Sequence, residues 1–194
     1  MNSRRRGRAP GKELRHPMLL HGAGIATIAA ACTSAANALT LSAVMLVLCC
    51  GMATIYIFER GEYRPPMLGV LYFVSAAFIV CILGKILILL SETTAESIGM
   101  YLPLAAADAL VLARLQPDAP FVSPSDAIPH ALEHWWLYAM MAVPIGTLRE
   151  IFGRGTLLGV RLFFRVNAGG MALPFAGFIL LGFGLAIYNR FARE

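Results

Sequence analysis

The chain has 194 residues, 58% of them hydrophobic and only 14% charged, with a mean hydropathy of +0.70. Soluble domains carry about 25% charged residues, so this composition excludes a water-soluble enzyme and implies an all-α integral membrane protein. The net charge of +5 does not point to nucleic acid, because its main concentration is one tail of Arg4, Arg5, Arg6, Arg8, Lys12 and Arg15, which reads as the cytoplasmic flank of a membrane segment.

In chain order, residues 1–17 form a basic cytoplasmic tail and 18–191 a single transmembrane domain. The tail resembles the charged region of a signal peptide, but the apolar run behind it continues into further spans, so the tail is expected to be retained. No Asp, Glu, Lys or Arg occurs from His16 to Phe58. At roughly 20 apolar residues per span, that stretch holds two helices, over 18–36 and 39–58. Glu59-Arg60-Gly61-Glu62 closes the second, and Pro65-Pro66 opens a third over 67–90. Lys85 is near enough to the end of that segment to snorkel to the interface. A short fourth segment over 98–112 carries Pro103 and Asp108. Pro117, Pro120, Pro124 and Pro129 keep the following loop irregular. The fifth segment, 135–148, opens on the interfacial pair Trp135-Trp136 and contains Pro144. A polar stretch from Arg149 to Arg165 then leads to the sixth, 166–189, which has no formal charge.

Three spans on each side of Ser91 make two inverted 3+3 repeats, because an odd number of spans per half reverses the topology. Each half holds a short alanine-rich segment at a matching place. One is Gly24-Ile25-Ala26-Thr27-Ile28-Ala29-Ala30-Ala31-Cys32; the other is Gly99-Met100-Tyr101-Leu102-Pro103-Leu104-Ala105-Ala106-Ala107-Asp108. Paired short, broken segments of this kind mark a transport or redox site near the bilayer midplane, although small residues also serve close helix packing. With the N-terminus inside, most Lys and Arg residues flank the inner face, against Arg149, Arg154, Arg161 and Arg165 outside. Both termini are therefore expected in the cytoplasm of a bacterial inner-membrane protein.

Asp108 is the most expensive residue to bury, at about 2.5–3.5 kcal/mol near a helix centre. It is expected to face protein or water and to pair with Lys85, Arg114 or Arg149, or to bind backbone freed around Pro103. His130-Ala131-Leu132-Glu133-His134 spells H-x-x-E-H, the spacing of an inverted zinc-peptidase motif. Its bland alternative is an amphipathic turn at the interface, and no further acidic or histidine ligand is obvious. Cys32, Cys49, Cys50 and Cys81 lie in apolar stretches without metal-ligand spacing and read as small packing residues. No catalytic or metal-binding set is expected. The string Leu148-Arg149-Glu150-Ile151-Phe152-Gly153-Arg154-Gly155-Thr156-Leu157 is more distinctive, with an Arg-Glu pair at a membrane boundary followed by two glycines.

That string resembles the Leu-Arg-Glu-Ile/Leu-(Ile/Phe)-Gly-x-Gly-x-Leu signature of the Rnf/Nqr membrane subunits, of the E type in Rnf complexes and the equivalent D type in the sodium-pumping NADH:quinone reductase. Thr33-Ser34-Ala35-Ala36-Asn37-Ala38-Leu39 is similar to another motif of that family. So are Glu96-Ser97-Ile98-Gly99-Met100-Tyr101-Leu102-Pro103-Leu104, Val111-Leu112-Ala113-Arg114 and Met171-Ala172-Leu173-Pro174-Phe175-Ala176-Gly177-Phe178. The resemblance implies six helices in two inverted repeats, other complex subunits, and a homologous partner subunit of opposite topology. It also implies an intramembrane [2Fe–2S] cluster held by cysteines from both partners. By the family's spacing this chain's two cysteines would stand at Ala26 and Ala109. A methyl group cannot ligate iron, so no cofactor is expected on this chain. Asp108, where the family tends to carry Asn, is a second departure. The implied function is that of a subunit of a redox-driven, ion-translocating complex rather than an enzyme alone. A second reading is a non-redox transporter or assembly subunit centred on Asp108, with Arg114, Arg149, Glu150 and Asn37 as further polar candidates.

Overall fold

A computed structural model describes residues 24–59, 65–112, 127–161 and 169–191. The predicted tail 1–17, the start of the first segment, Arg114 with the loop after it, and Arg165 lie outside the described residues. The helices are α1 (Ile25–Ala31), α2 (Ala35–Glu59), α3 (Pro65–Leu90), α4 (Glu92–Gly99), α5 (Leu102–Leu112), α6 (Ala127–Arg154) and α7 (Pro174–Phe191). A two-stranded hairpin, β1 (Thr156–Leu157) and β2 (Val160–Arg161), and a 3-10 turn (Gly169–Ala172) lie between α6 and α7.

The predicted first segment, 18–36, does not run unbroken to its end. α1 stops at Ala31, and α2 begins at Ala35 rather than at the predicted residue 39. Hydrophobicity is continuous here, but capping chemistry is not. Ser34 Oγ accepts the Asn37 amide at 3.2 Å, and the Asn37 side chain donates to Thr33 Oγ1 at 3.1 Å. Short polar side chains of this kind offer the backbone an alternative to continuing a helix. Removing such a cap costs about 1 kcal/mol, so Ser34→Ala is expected to lower the unfolding free energy by about that amount, read from denaturation in detergent.

The predicted fourth segment, 98–112, is likewise two helices. Its first residues belong to α4, and the break falls at Met100-Tyr101, closed by a Tyr101 N–H to Ile98 carbonyl bond of 2.7 Å. Pro103 has no amide to offer the Gly99 carbonyl, so the helical ladder cannot cross this point. α6 is much longer than the predicted 135–148. Pro129 sits in its first turn, where a missing amide is harmless, and Pro144 is accommodated within it. The polar stretch from Arg149 begins as the end of α6. Gly155, at φ 65, terminates the helix, and Leu158 and Gly159 take φ 49 and 82 at the hairpin turn, as a type I′ turn requires. α7 starts later than the predicted 166, with Pro174 at its first position.

The principal contact is between α2 and α6, while α1 packs on α7 and α5 on α3. Gly146 lets α6 approach α2, since a Cβ there would stand 2.6 Å from Ala38 Cβ and 2.8 Å from the Ser34 carbonyl oxygen. Trp135, half-buried rather than purely interfacial, donates its indole N–H to the Ser42 carbonyl at 2.7 Å, and Trp136 remains exposed. Ile28, Leu41, Met45, Leu48, Tyr138 and Leu181 fill the shared core. Among the described residues, Ala35–Ile55 in α2 and Gly69–Leu90 in α3 are long and apolar enough to cross a bilayer; Pro174–Ile187 in α7 is apolar but shorter. α3 and α7 also display large apolar side chains such as Phe73, Phe78, Leu89 and Phe183 to their surroundings, as a lipid-facing surface does.

Candidate functional site

The two short helices α1 and α5 meet, and the contact is polar. Thr27 Oγ1 donates to Asp108 Oδ2 at 2.6 Å, and the Tyr138 hydroxyl of α6 donates to Thr27 Oγ1 at 3.3 Å. All three side chains are buried. The backbone amides of Gly24 and Thr27 also face the Asp108 carboxylate. These amides open α1, whose own cap residue, Gly24, has no side chain to satisfy them and takes the left-handed φ of 81. Asp108 therefore serves from α5 as the missing cap of α1. Of the partners expected for Asp108, a cation or freed backbone, the described residues supply a neutral hydroxyl and backbone. Lys85 is exposed on α3, Arg149 is engaged elsewhere, and Arg114 lies outside the described residues. The backbone that Asp108 does bind belongs to α1, not to the break near Pro103.

Arg149 and Glu150 stand at the other end of α1. The Arg149 guanidinium donates through Nη1 to the carbonyls of Ala29 (2.7 Å) and Cys32 (3.0 Å). Nε donates to Met171 (3.2 Å) and Nη2 to Leu173 (3.2 Å). The last carbonyls of a helix have no partner within it, and in a bilayer core water cannot supply one. Arg149, 1% exposed, supplies those of α1 together with the carbonyls leading into α7, with its positive charge at the negative end of the helix dipole. Glu150 does the converse. Its Oε2 accepts the Ala35 amide at the start of α2 (2.8 Å), while Oε1 accepts Thr156 Oγ1 and the Gly159 amide of the hairpin, both at 3.2 Å. Adjacent residues on one helix thus clamp the end of α1 and the beginning of α2. Arg149 is a buried tie, not the outer-loop residue expected from its charge.

Asn37 belongs to the same junction. Besides bonding Thr33, it accepts from Ser97 Oγ at 3.2 Å, tying the break to α4. Ala26 is half-buried on α1, and Ala109 lies on α5 next to Asp108. Cys32 and Cys49 are buried, and Cys81 is exposed. The H-x-x-E-H string is helical within α6, but its members are not gathered. His130 and Glu133 are exposed and face each other at 3.5 Å, while His134 is buried. Among the described residues no three His, Cys, Asp or Glu side chains converge to hold a metal ion.

The sequence reading missed Thr27 and Tyr138. Thr27 is the one side-chain hydroxyl in the alanine-rich segment 24–32, a signal that could have singled it out. Tyr138 gave none, since nothing in its local pattern separates a buried tyrosine hydroxyl from an interfacial one.

The family profile described as "Rnf-Nqr subunit, membrane protein" matches residues 14–184. Similar proteins include the D component of the Na(+)-translocating NADH-quinone reductase of Pseudoalteromonas translucida, 24% identical over 92% of this chain and 89% of its own. Another is the E component of the proton-translocating ferredoxin:NAD(+) oxidoreductase complex of Clostridium ljungdahlii, 26% identical over 90% of this chain and 84% of its own. The E component of the ion-translocating oxidoreductase complex of Haemophilus influenzae is 28% identical, over 90% and 81%. With the profile covering most of its length, the chain belongs to the Rnf-Nqr family of membrane subunits.

Proposed function

We propose that this protein is an integral membrane subunit of an ion-translocating electron transport complex of the Rnf/Nqr type. The observation that carries the reading is the family match over residues 14–184, together with relatives similar over nearly their whole lengths and named as the D or E components of such complexes. The chain works with the other subunits and with a homologous membrane partner of opposite topology. Residues 18–191 form its transmembrane domain, with six spans in two inverted repeats and a basic tail, 1–17. The packing supports that plan: the short helix α1 lies on α7 and the short helix α5 on α3, so each half's short helix rests on a long helix of the other, around the α2–α6 contact. The protein sits in the bacterial inner membrane with both termini cytoplasmic. A tagged chain is expected to co-purify a homologous membrane subunit and a cytoplasmic reporter fused to its C-terminus to be active; isolation as a lone chain, or a periplasmic C-terminus, would sink this plan.

The chain supplies no ligand to an iron–sulfur cluster. What supports this is the chemistry of two positions, since Ala26 and Ala109 present methyl groups where thiolates are required. Cys32 is no substitute, being buried beyond the far end of α1. The purified assembly is expected to show no [2Fe–2S] EPR signal that depends on cysteines of this chain. A signal abolished by replacing Cys32, Cys49, Cys50 and Cys81 would overturn this. The Thr27–Asp108–Tyr138 network favours a second reading, in which the subunit contributes a polar, non-redox centre.

A further inference from the structure

The Thr27 hydroxyl stands among two acceptors and one donor. Its oxygen lies 2.6 Å from Asp108 Oδ2 and 3.0 Å from the Gly24 carbonyl oxygen, and Tyr138 donates to it over 3.3 Å. A threonine hydroxyl has one proton to give and two lone pairs to receive. When Asp108 is ionised, Thr27 gives its proton to Oδ2 and receives one from Tyr138. When Asp108 is protonated, the carboxylic O–H donates to the Thr27 oxygen, and the Thr27 proton turns to the Gly24 carbonyl. Tyr138 donates in both states. Turning one hydroxyl hydrogen therefore satisfies either charge state, and no heavy atom has to move.

The groups set against Asp108 are neutral: the Thr27 hydroxyl, which donates to it, and the amides of Gly24 and Thr27, which face it. Among the described residues no cationic side chain pairs with it. Neutral dipoles of this kind permit both charge states. The 2.6 Å separation is that of a hydrogen bond, so what fits between the two oxygens is a proton rather than a metal ion. The other ionisable groups around the network are Tyr138 of α6, Cys49 of α2 and Cys32 beyond α1; α3 carries the buried Tyr72 and the exposed Lys85 and Cys81.

From this geometry we infer that Asp108, Thr27 and Tyr138 form a reversible proton-binding site where the two short helices meet. Asp108 carries the bound proton, Thr27 switches between its two acceptors, and Tyr138 holds the Thr27 oxygen in place. Binding converts the carboxylate and one proton to a carboxylic acid, and no bond between heavy atoms forms or breaks. The acid grips the amides of Gly24 and Thr27 more weakly than the carboxylate does. Proton occupancy therefore also sets how firmly α1 is held to α5.

The full chain in lipid nanodiscs, labelled with carbon-13 at its aspartate side-chain carboxyls, has three such groups, Asp108, Asp118 and Asp126. The NMR signal missing from Asp108→Asn belongs to Asp108; if that variant does not fold, Asp118→Asn and Asp126→Asn assign it by elimination. The expected result is a signal that moves between its acid and carboxylate positions as pH is varied. Thr27→Val is expected to shift the midpoint by about one pH unit or more, and Thr27→Ser to restore it. A signal fixed at one position at every pH where the chain stays folded overturns the proposal, as does a midpoint indifferent to Thr27→Val. Either leaves Asp108 as a static cap on α1. The measurement needs neither an assembled complex nor an electron carrier, so its failure leaves the subunit reading intact.

Discussion

Arg149→Ala is expected to reduce the unfolding free energy by at least about 3 kcal/mol, the cost of leaving more than one buried carbonyl unpaired at ~1–3 kcal/mol each. The guanidinium reaches the Ala29 and Cys32 carbonyls at the end of α1 and those of Met171 and Leu173 before α7. Arg149 is itself buried, as are its bonds to Ala29 and Cys32. Arg149→Lys keeps the charge but not the planar fork that spans four carbonyls, so it is expected to recover less than half of the loss. Denaturation in detergent, with the amount of folded chain recovered from membranes, checks both variants. An Arg149→Ala protein as stable as the parent would mean that the junction is held by other contacts. The same substitution is expected to loosen α1 itself and hence the Thr27–Asp108 contact at its opposite end.

Gly177→Ala has the second-largest expected effect. α7 crosses α1 so closely that a Cβ at Gly177 would overlap the Ala29 carbonyl oxygen and stand 2.8 Å from Ala29 Cα. Both are backbone atoms of a short helix pinned at its two ends, so they cannot yield as a flexible side chain would. Overpacking costs about 1–3 kcal/mol and more where the neighbour is rigid. Gly182→Ala is the internal control. It lies on the same helix with open space around it, and the change is expected to be neutral or to stabilise by up to about 1 kcal/mol, because alanine is the better helix former. Equal effects at the two glycines would show that α7 does not depend on this close approach. The Ala29 carbonyl also accepts from Arg149, so Gly177→Ala and Arg149→Ala are expected to be non-additive in a double-mutant cycle.

Much of the fold was legible along the chain. The charge-free run from His16 to Phe58, the Pro65-Pro66 restart and the apolar stretch behind it placed α2 and α3 within a few residues. The alanine-rich segments around Ala26 and Asp108 marked where the short helices lie. The boundaries went astray where hydropathy and backbone chemistry disagree. At 32–34 an apolar window hides a serine cap, and at 127–134 polar residues and Pro129 conceal the first turns of α6. A hydropathy pattern reports which residues avoid water, not which amides have lost their partners.

The site divides in the same way. Composition and motifs along the chain are enough to read that it is membrane-embedded, which family its motifs resemble, and that methyl groups occupy positions 26 and 109. They also show that Asp108 needs company, because an unpaired carboxylate in such surroundings is too costly to leave alone. Which company that is depends on how the helices pack. That packing set Thr27 on Asp108, 81 residues away, and Glu150 on the Ala35 amide, 115 residues away. It also gave Arg149 to backbone carbonyls rather than to Asp108. Local patterns follow from each residue's own preference for water or apolar surroundings. Pairings across such separations depend instead on which helix ends packing leaves unsatisfied and which side chains it brings within reach.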